Sequence, residues 1–135
     1  MKKLRNYDSA PGCSMEAAIH ILGGKWKGVI LFHLFKEGTL RFSELQRYLV
    51  SINQRLLTKQ LRELEEDGLI IREVFPVVPP KVEYSLSEEG KELQHIVMEL
   101  SLWGRKWLEK REMKTAIDED MDEVRRLLVQ AESRN

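Results

Sequence analysis

Residues 41–90 read RFSELQRYLVSINQRLLTKQLRELEEDGLIIREVFPVVPPKVEYSLSEEG, and the order of signals within them decides the fold. Two helical segments lead into a glycine turn, and two β-type segments follow with a proline-rich tip between them. In the second helical segment Asn53 is suited to the N-cap, Gly68 follows Asp67 as a C′ glycine, and neither Pro nor Gly interrupts the run between them. Leu57, Leu61 and Leu64 recur at helical spacing and form one stripe facing a core. On a helical wheel Arg55, Lys59 and Arg62 fall within about 40° of the opposite pole, so the outer face is cationic.

The preceding segment, Ser43 to Leu49, opens with Ser43-Glu44-Leu45-Gln46, a pattern that predicts a capping box between Ser43 and Gln46. Val50-Ser51-Ile52 is short enough for the turn of a helix-turn-helix, with Ile52 as its buried plug. Downstream, Leu69 to Phe75 is β-branched and partly alternating, whereas Val82, Tyr84 and Leu86 alternate cleanly onto one face. Pro76, Pro79 and Pro80 stiffen the tip and keep it out of the ladder. This is the order of a winged helix-turn-helix, and the expected class is α+β, mainly helical, with added N- and C-terminal helices for dimerisation. Asn53, Gln54, Arg55 and Thr58 occupy the first turns of the recognition helix and are residue types that read base edges; Lys59, Arg62 and Arg41 are expected at the DNA. Arg72 and Lys81 on the hairpin strands suit phosphate or minor-groove contacts.

Four motifs together carry a family resemblance. Gly23-Gly24-Lys25-Trp26, the run Leu40-Arg41-Phe42-Ser43-Glu44-Leu45, the run from Leu57 through Gln60-Leu61-Arg62-Glu63-Leu64 to Gly68-Leu69, and Val78-Pro79-Pro80-Lys81-Val82-Glu83-Tyr84-Ser85-Leu86-Ser87 closely resemble the HxlR-type winged-helix transcriptional regulators, relatives of the MarR group. The likeness spans roughly residues 13–108. It implies a dimeric bacterial or archaeal transcription factor that pairs through its terminal helices.

A formal net charge of zero looks unfavourable for a protein that must approach phosphates, but the charge is divided along the chain. Residues 1–62 carry 11 Lys and Arg against 4 Asp and Glu, a balance of +7, and residues 63–135 carry 11 against 18, a balance of −7. Such a division is expected to turn the acidic part away from DNA and to make binding strongly salt-dependent. At 135 residues a single winged-helix domain is expected: a flexible arm over residues 1–12, the family-like body over 13–110, and an extra helix over 118–132. No 18-residue apolar run is present, and no apolar stretch follows the Lys-rich start, so a cytoplasmic location is expected.

Upstream, Ser14 to Leu22 is expected to be a short helix broken at Gly23-Gly24, and Lys25 to Lys36 a second helix apolar nearly all round. Downstream, Ser87 is expected to cap one long helix from Glu88 to about Lys110. Its apolar stripe exceeds what one small core needs, which places Leu100, Trp103 and Trp107 at a two-fold dimer interface. Met113 to Ile117 is expected to be a hinge, and Asp118 to Ala131 an amphipathic helix whose packing partner the sequence does not specify. Cys13, the one cysteine, should stand at or beside the N-cap of the first helix, where the helix dipole favours a thiolate and a redox or electrophile sensor could form. The family resemblance implies the same switch, although the family often has Pro where this chain has Ser14. A small buried hydrophobe is the plain alternative for Cys13.

Other chemistry is weakly signalled. His20, His33 and His95 lie in three different helical segments, and Glu99, four after His95, suggests only a surface contact, so no metal site and no cofactor are expected. Gly23-Gly24-Lys25 lacks phosphate-loop spacing, and no nucleophile elbow is present, so an enzyme is not expected. Two readings remain: a homodimeric transcription factor on a pseudo-palindromic DNA operator, or a winged-helix protein-interaction module whose basic face meets an acidic partner. Base-reading residue types at the helix start favour the first.

Overall fold

The computed structural model describes residues 10–134, so positions 1–9 of the expected N-terminal arm lie outside the described residues. In chain order the elements are α1 (Ser14–Leu22), α2 (Lys27–Glu37), β1 (Thr39–Arg41), α3 (Phe42–Tyr48), α4 (Gln54–Glu66), β2 (Ile70–Phe75), β3 (Lys81–Leu86), α5 (Glu88–Lys91), α6 (Gln94–Lys110) and α7 (Met121–Glu132). This is the α+β, mainly helical winged helix-turn-helix that the sequence predicts.

The core forms where the apolar stripes of α2, α3 and α4 meet. Ile30, Leu31 and Leu34 of α2, Leu45 and Leu49 at α3, and Leu57, Leu61 and Leu64 of α4 are fully buried. Ile52 is buried in the α3–α4 turn, as its role of plug requires, and Ser51 beside it takes a positive φ of 75° to make that turn tight. Asn53 caps α4 by accepting from the Leu56 N–H at 2.8 Å, and Gly68, at φ 80°, ends it.

Several local expectations are corrected. Ser43 does not cap α3. The helix starts at Phe42, and the reciprocal contact runs from the Arg41 N–H to Glu44 Oε1 at 2.9 Å. The reason is a strand that the sequence reading lacks: Thr39–Arg41 pairs with β3, with Leu40 opposite Tyr84 and Arg41 opposite Glu83, so the chain leaves the sheet and enters the helix without a spacer. The sheet order is therefore β1-β3-β2, with the wing hairpin in register from Ile70 opposite Leu86 to Phe75 opposite Lys81.

The expected single helix from Glu88 to Lys110 is likewise two helices. Ser87 Oγ donates to the Gly68 carbonyl at 2.6 Å and accepts from the Gly90 N–H at 2.9 Å, which pins α5 against the end of α4. Gly90 packs so closely that a Cβ there would stand 2.0 Å from the Leu69 carbonyl oxygen. The backbone then closes with tighter bonds, Glu92 N–H to the Glu89 oxygen and Leu93 N–H to the Gly90 oxygen, and α6 departs on its own course to bury Val97 and Met98. Among its packing partners are α2 and α7. The last helix, capped by Asp120 rather than starting at Asp118, buries Met121, Val124 and Ala131 against α6 and α2 of its own chain. Gln94, itself buried, fastens it by donating to the Leu127 carbonyl at 3.0 Å and to Gln130 at 3.1 Å.

A buried ion pair sits inside this core. Lys27 Nζ lies 3.4 Å from Glu63 Oε1, with both side chains largely out of water, and ties α2 to the inner flank of α4. Nearby, His33 stacks on Tyr48 with ring centroids 4.9 Å apart and meets Phe32 edge-on at 5.3 Å. Its buried Nδ1 has no hydrogen-bond partner, and desolvation, helped by the Lys36 charge, lowers its pKa from 6.5 to about 4.

Candidate nucleic-acid interface

The surface that could meet a duplex is built from α4 outward. With its leucine stripe consumed by the core, α4 turns Gln54, Arg55, Thr58, Lys59 and Arg62 to solvent, and with Asn53 these residues line one open depression. A second groove runs from α4 to the wing. Thr58 and Arg62 from the helix, Arg72 from β2 and Tyr84 from β3 line it, so Arg72 is joined to the helix face as expected of a wing contact. Phe42 and Glu65 complete this groove. The sequence reading missed both; Phe42 could not be placed, because only the return of β1 to the sheet brings α3's first residue beside the wing.

Not every expected residue is equally disposed. The Asn53 side-chain Oδ1 is occupied as the α4 cap, and the Thr58 hydroxyl donates back to the Gln54 backbone carbonyl at 2.9 Å. Lys81 is already partnered within the hairpin: Nζ is 2.9 Å from Glu83 Oε1 and 4.7 Å from the ring centroid of Phe75 on β2. Arg41, exposed at the end of β1, lines neither groove. The concentrated unit is therefore Gln54, Arg55, Lys59, Arg62 and Arg72. Pro76 to Pro80 form an exposed tip beyond Arg72, as a wing requires.

A second surface is apolar. Ile96, Leu100, Trp103 and Trp107 follow one another along a single face of α6, and Leu100 and Trp103 are 60% and 64% exposed. The Trp107 ring is covered on one side by the Arg111 guanidinium, 3.8 Å from the centroid. Helix α1 contains no buried residue at all, and its Met15 and Ile19 are 69% and 61% exposed. Cys13 is the N-cap of α1, as expected. Its exposed Sγ accepts from the Glu16 N–H at 3.4 Å, while the Glu16 carboxylate accepts from the Gly12 N–H.

A positioning helix, a capped cationic helix and a proline-tipped hairpin in this arrangement define a winged helix-turn-helix DNA-binding protein. The chain belongs to the HxlR-like helix-turn-helix family, whose model matches residues 21–112. It is 50% identical over 100 residues to the HTH-type transcriptional regulator YdeP of Bacillus subtilis (strain 168), covering 74% of this chain and 77% of that one. Among solved structures it is similar to the redox regulator HypR in its oxidised form, with a TM-score of 0.67 and 50% identity, covering 70% of this chain and 96% of that one. It is also similar to diamide-treated YodB from B. subtilis, with a TM-score of 0.57 and 35% identity over 70% of this chain and 93% of that one. Among the described residues no helix is long and apolar enough to cross a membrane.

Proposed function

We propose that this chain is a cytoplasmic, homodimeric transcriptional regulator that binds a pseudo-palindromic operator through α4, with the wing on the flanking backbone. The observation that carries the reading is the outer face of α4, where Gln54, Arg55, Lys59 and Arg62 stand exposed along one depression on a helix whose other face is fully buried. Arg and Gln at the start of such a helix match guanine and adenine edges, and Lys59, Arg62 and Arg72 supply phosphate contacts. The protein-interaction alternative lacks this support, since regulators recur among the relatives.

Dimerisation is inferred from the apolar stripe of α6 and the unburied α1. A nine-residue helix with no fully buried residue, touching the core only through Ile21 and Leu22 at its end, is marginal alone, and a contiguous aromatic face on a small protein calls for a partner. A second copy of the chain is the simplest one, and its two-fold axis would set two α4 helices in successive major grooves about one helical turn apart. The test is a gel shift with intergenic DNA from beside the gene, in the presence of excess random duplex. A retarded band that survives the competitor is expected; binding that random DNA removes completely would leave only non-specific affinity.

Control of the operator is assigned to Cys13. The thiol is exposed and stands at a helix start on α1, one of the two helices of the inferred dimer seam. With diamide as oxidant, the Cys13 thiol and a small thiol each lose a hydrogen, an S–S bond forms, and the azo group becomes a hydrazine. The mixed disulfide would shift α1 against the partner subunit and change the spacing of the two reading heads. Diamide with a small thiol should alter the gel shift of the wild type and leave Cys13→Ser unchanged. Identical responses of the two proteins would remove Cys13 from the mechanism.

A further inference from the structure

From the place where α7 ends against the start of α6, we propose a binding site for one divalent first-row transition ion of the zinc type, held by His95, Glu99 and Glu132. Their ligand atoms all lie within 4.8 Å of one another, although Glu132 is 33 positions beyond Glu99 in the chain. His95 Nε2 and Glu132 Oε1 are 3.6 Å apart, close to the about 3.4 Å that separates two ligands sharing one tetrahedral ion. Glu99 sits one helical turn after His95, so both project from the same face of α6, and its exposed carboxylate lies within 4.8 Å of the other two ligand atoms.

The backbone on both sides of the site is held in place by neighbours that are not ligands. Gln94, adjacent to His95, is buried and bonded to Leu127 and Gln130 of α7. Ala131, adjacent to Glu132, is buried against the same junction. Two nearby cations have their bonds elsewhere: Arg134 donates to Gln94 Oε1 at 3.0 Å, and Lys91 pairs with Glu88 at 3.1 Å. The His95–Glu132 contact involves two of the three groups, and Glu99 makes it a set of three possible ligands. One imidazole with two carboxylates suits zinc, cobalt, nickel or manganese rather than calcium or magnesium, whose sites are built from oxygen alone. Three protein ligands on an exposed surface leave a coordination position for water.

The ion would act as a clasp. Helix α7 lies beyond residues 21–112, the span of the family match, and is held to α6 and α2 by Met121, Val124 and Ala131 and by the Gln94 bonds. Metal across His95, Glu99 and Glu132 adds a link at its C-terminal turn, coupling ion availability to the docking of α7 on the helix that carries Leu100 and Trp103.

Zinc chloride titrated into the full chain by calorimetry in a non-chelating buffer tests the site. Saturable binding of one ion per chain at micromolar zinc is expected, with a zinc-dependent rise in Tm, and Co2+ in its place should give a visible d–d absorption band. His95→Ala should abolish the isotherm and the band, Glu132→Gln and Glu99→Gln should weaken both, and His20→Ala should bind as the wild type does. If His95→Ala does not fold, Glu99→Gln, altered only at an exposed side chain, provides the same comparison. No saturable uptake at micromolar zinc, or wild-type uptake by the His95 and glutamate variants, would overturn the proposal.

Discussion

Helices α4 and α6 each bury one face in the core and turn the other outward, yet their outward faces have opposite chemistry. Helix α4 shows water Gln54, Arg55, Lys59 and Arg62, groups that are comfortable in solvent until a polyanion displaces it. Helix α6 shows water Leu100, Trp103 and Trp107, groups whose hydration is unfavourable at once. A charged face therefore indicates an optional partner, bound and released with salt and sequence, whereas an aromatic face indicates a standing one. In the proposed dimer that contrast would give a lasting assembly carrying two reversible reading heads.

The contrast is broken most directly at Trp103. A buried interface tryptophan is typically worth about 2–4 kcal/mol, and a two-fold axis counts it twice, so Trp103→Asp should yield monomers in light scattering and lose operator affinity with them. A wild type that is monomeric at micromolar concentration and still footprints a full palindrome would reverse the assignment of the two faces. Next in size is the inner side of α4. Lys27→Ala removes the buried cation facing Glu63 and should lower urea stability by about 1–3 kcal/mol, without touching the outer face. A loss below about 1 kcal/mol would mean that Glu63 is compensated by other contacts.

On the outer face the effects divide by type. Arg55→Ala should cost about 1–3 kcal/mol on the operator and relax base preference, while Lys59→Ala should weaken all DNA alike and reduce the salt slope by about one. Equal effects of both on specific and random DNA would erase the distinction between reading and anchoring residues. The smallest effect concerns His33, packed against Tyr48 at the end of the positioning helix. Its folded pKa, near 4, lies below the unfolded 6.5, so between these values the unfolded chain binds the extra proton and stability falls as pH falls. After allowance for its partial exposure the loss from pH 7 to 4 should be on the order of 1–2 kcal/mol, and His33→Phe should flatten that part of the urea-stability profile.

What could be read without coordinates was whatever short-range periodicity and capping chemistry control. Asn53 and Gly68 bound α4, the three leucines give its inner stripe, the prolines mark the wing tip, and Cys13 caps α1. These signals are legible because helical spacing, φ preferences and side-chain capping act within a few residues. The features that only tertiary structure decided all depend on segments far apart in sequence. Strand β1 is too short to have a pattern of its own and exists because β3 offers an edge; with it, the cap of α3 moves from Ser43 to Arg41. The division of α5 from α6 follows from the Leu69 carbonyl lying against Gly90, which no local rule places there. Lys81 is a free cation in the sequence and a paired one in the fold, because the hairpin sets Glu83 of β3 and Phe75 of β2 beside it. The seat of α7 on α6 and α2, and with it the meeting of His95, Glu99 and Glu132, depends on a chain reversal over residues 111–120 whose direction is set by the packing it permits, not by the residues that make it.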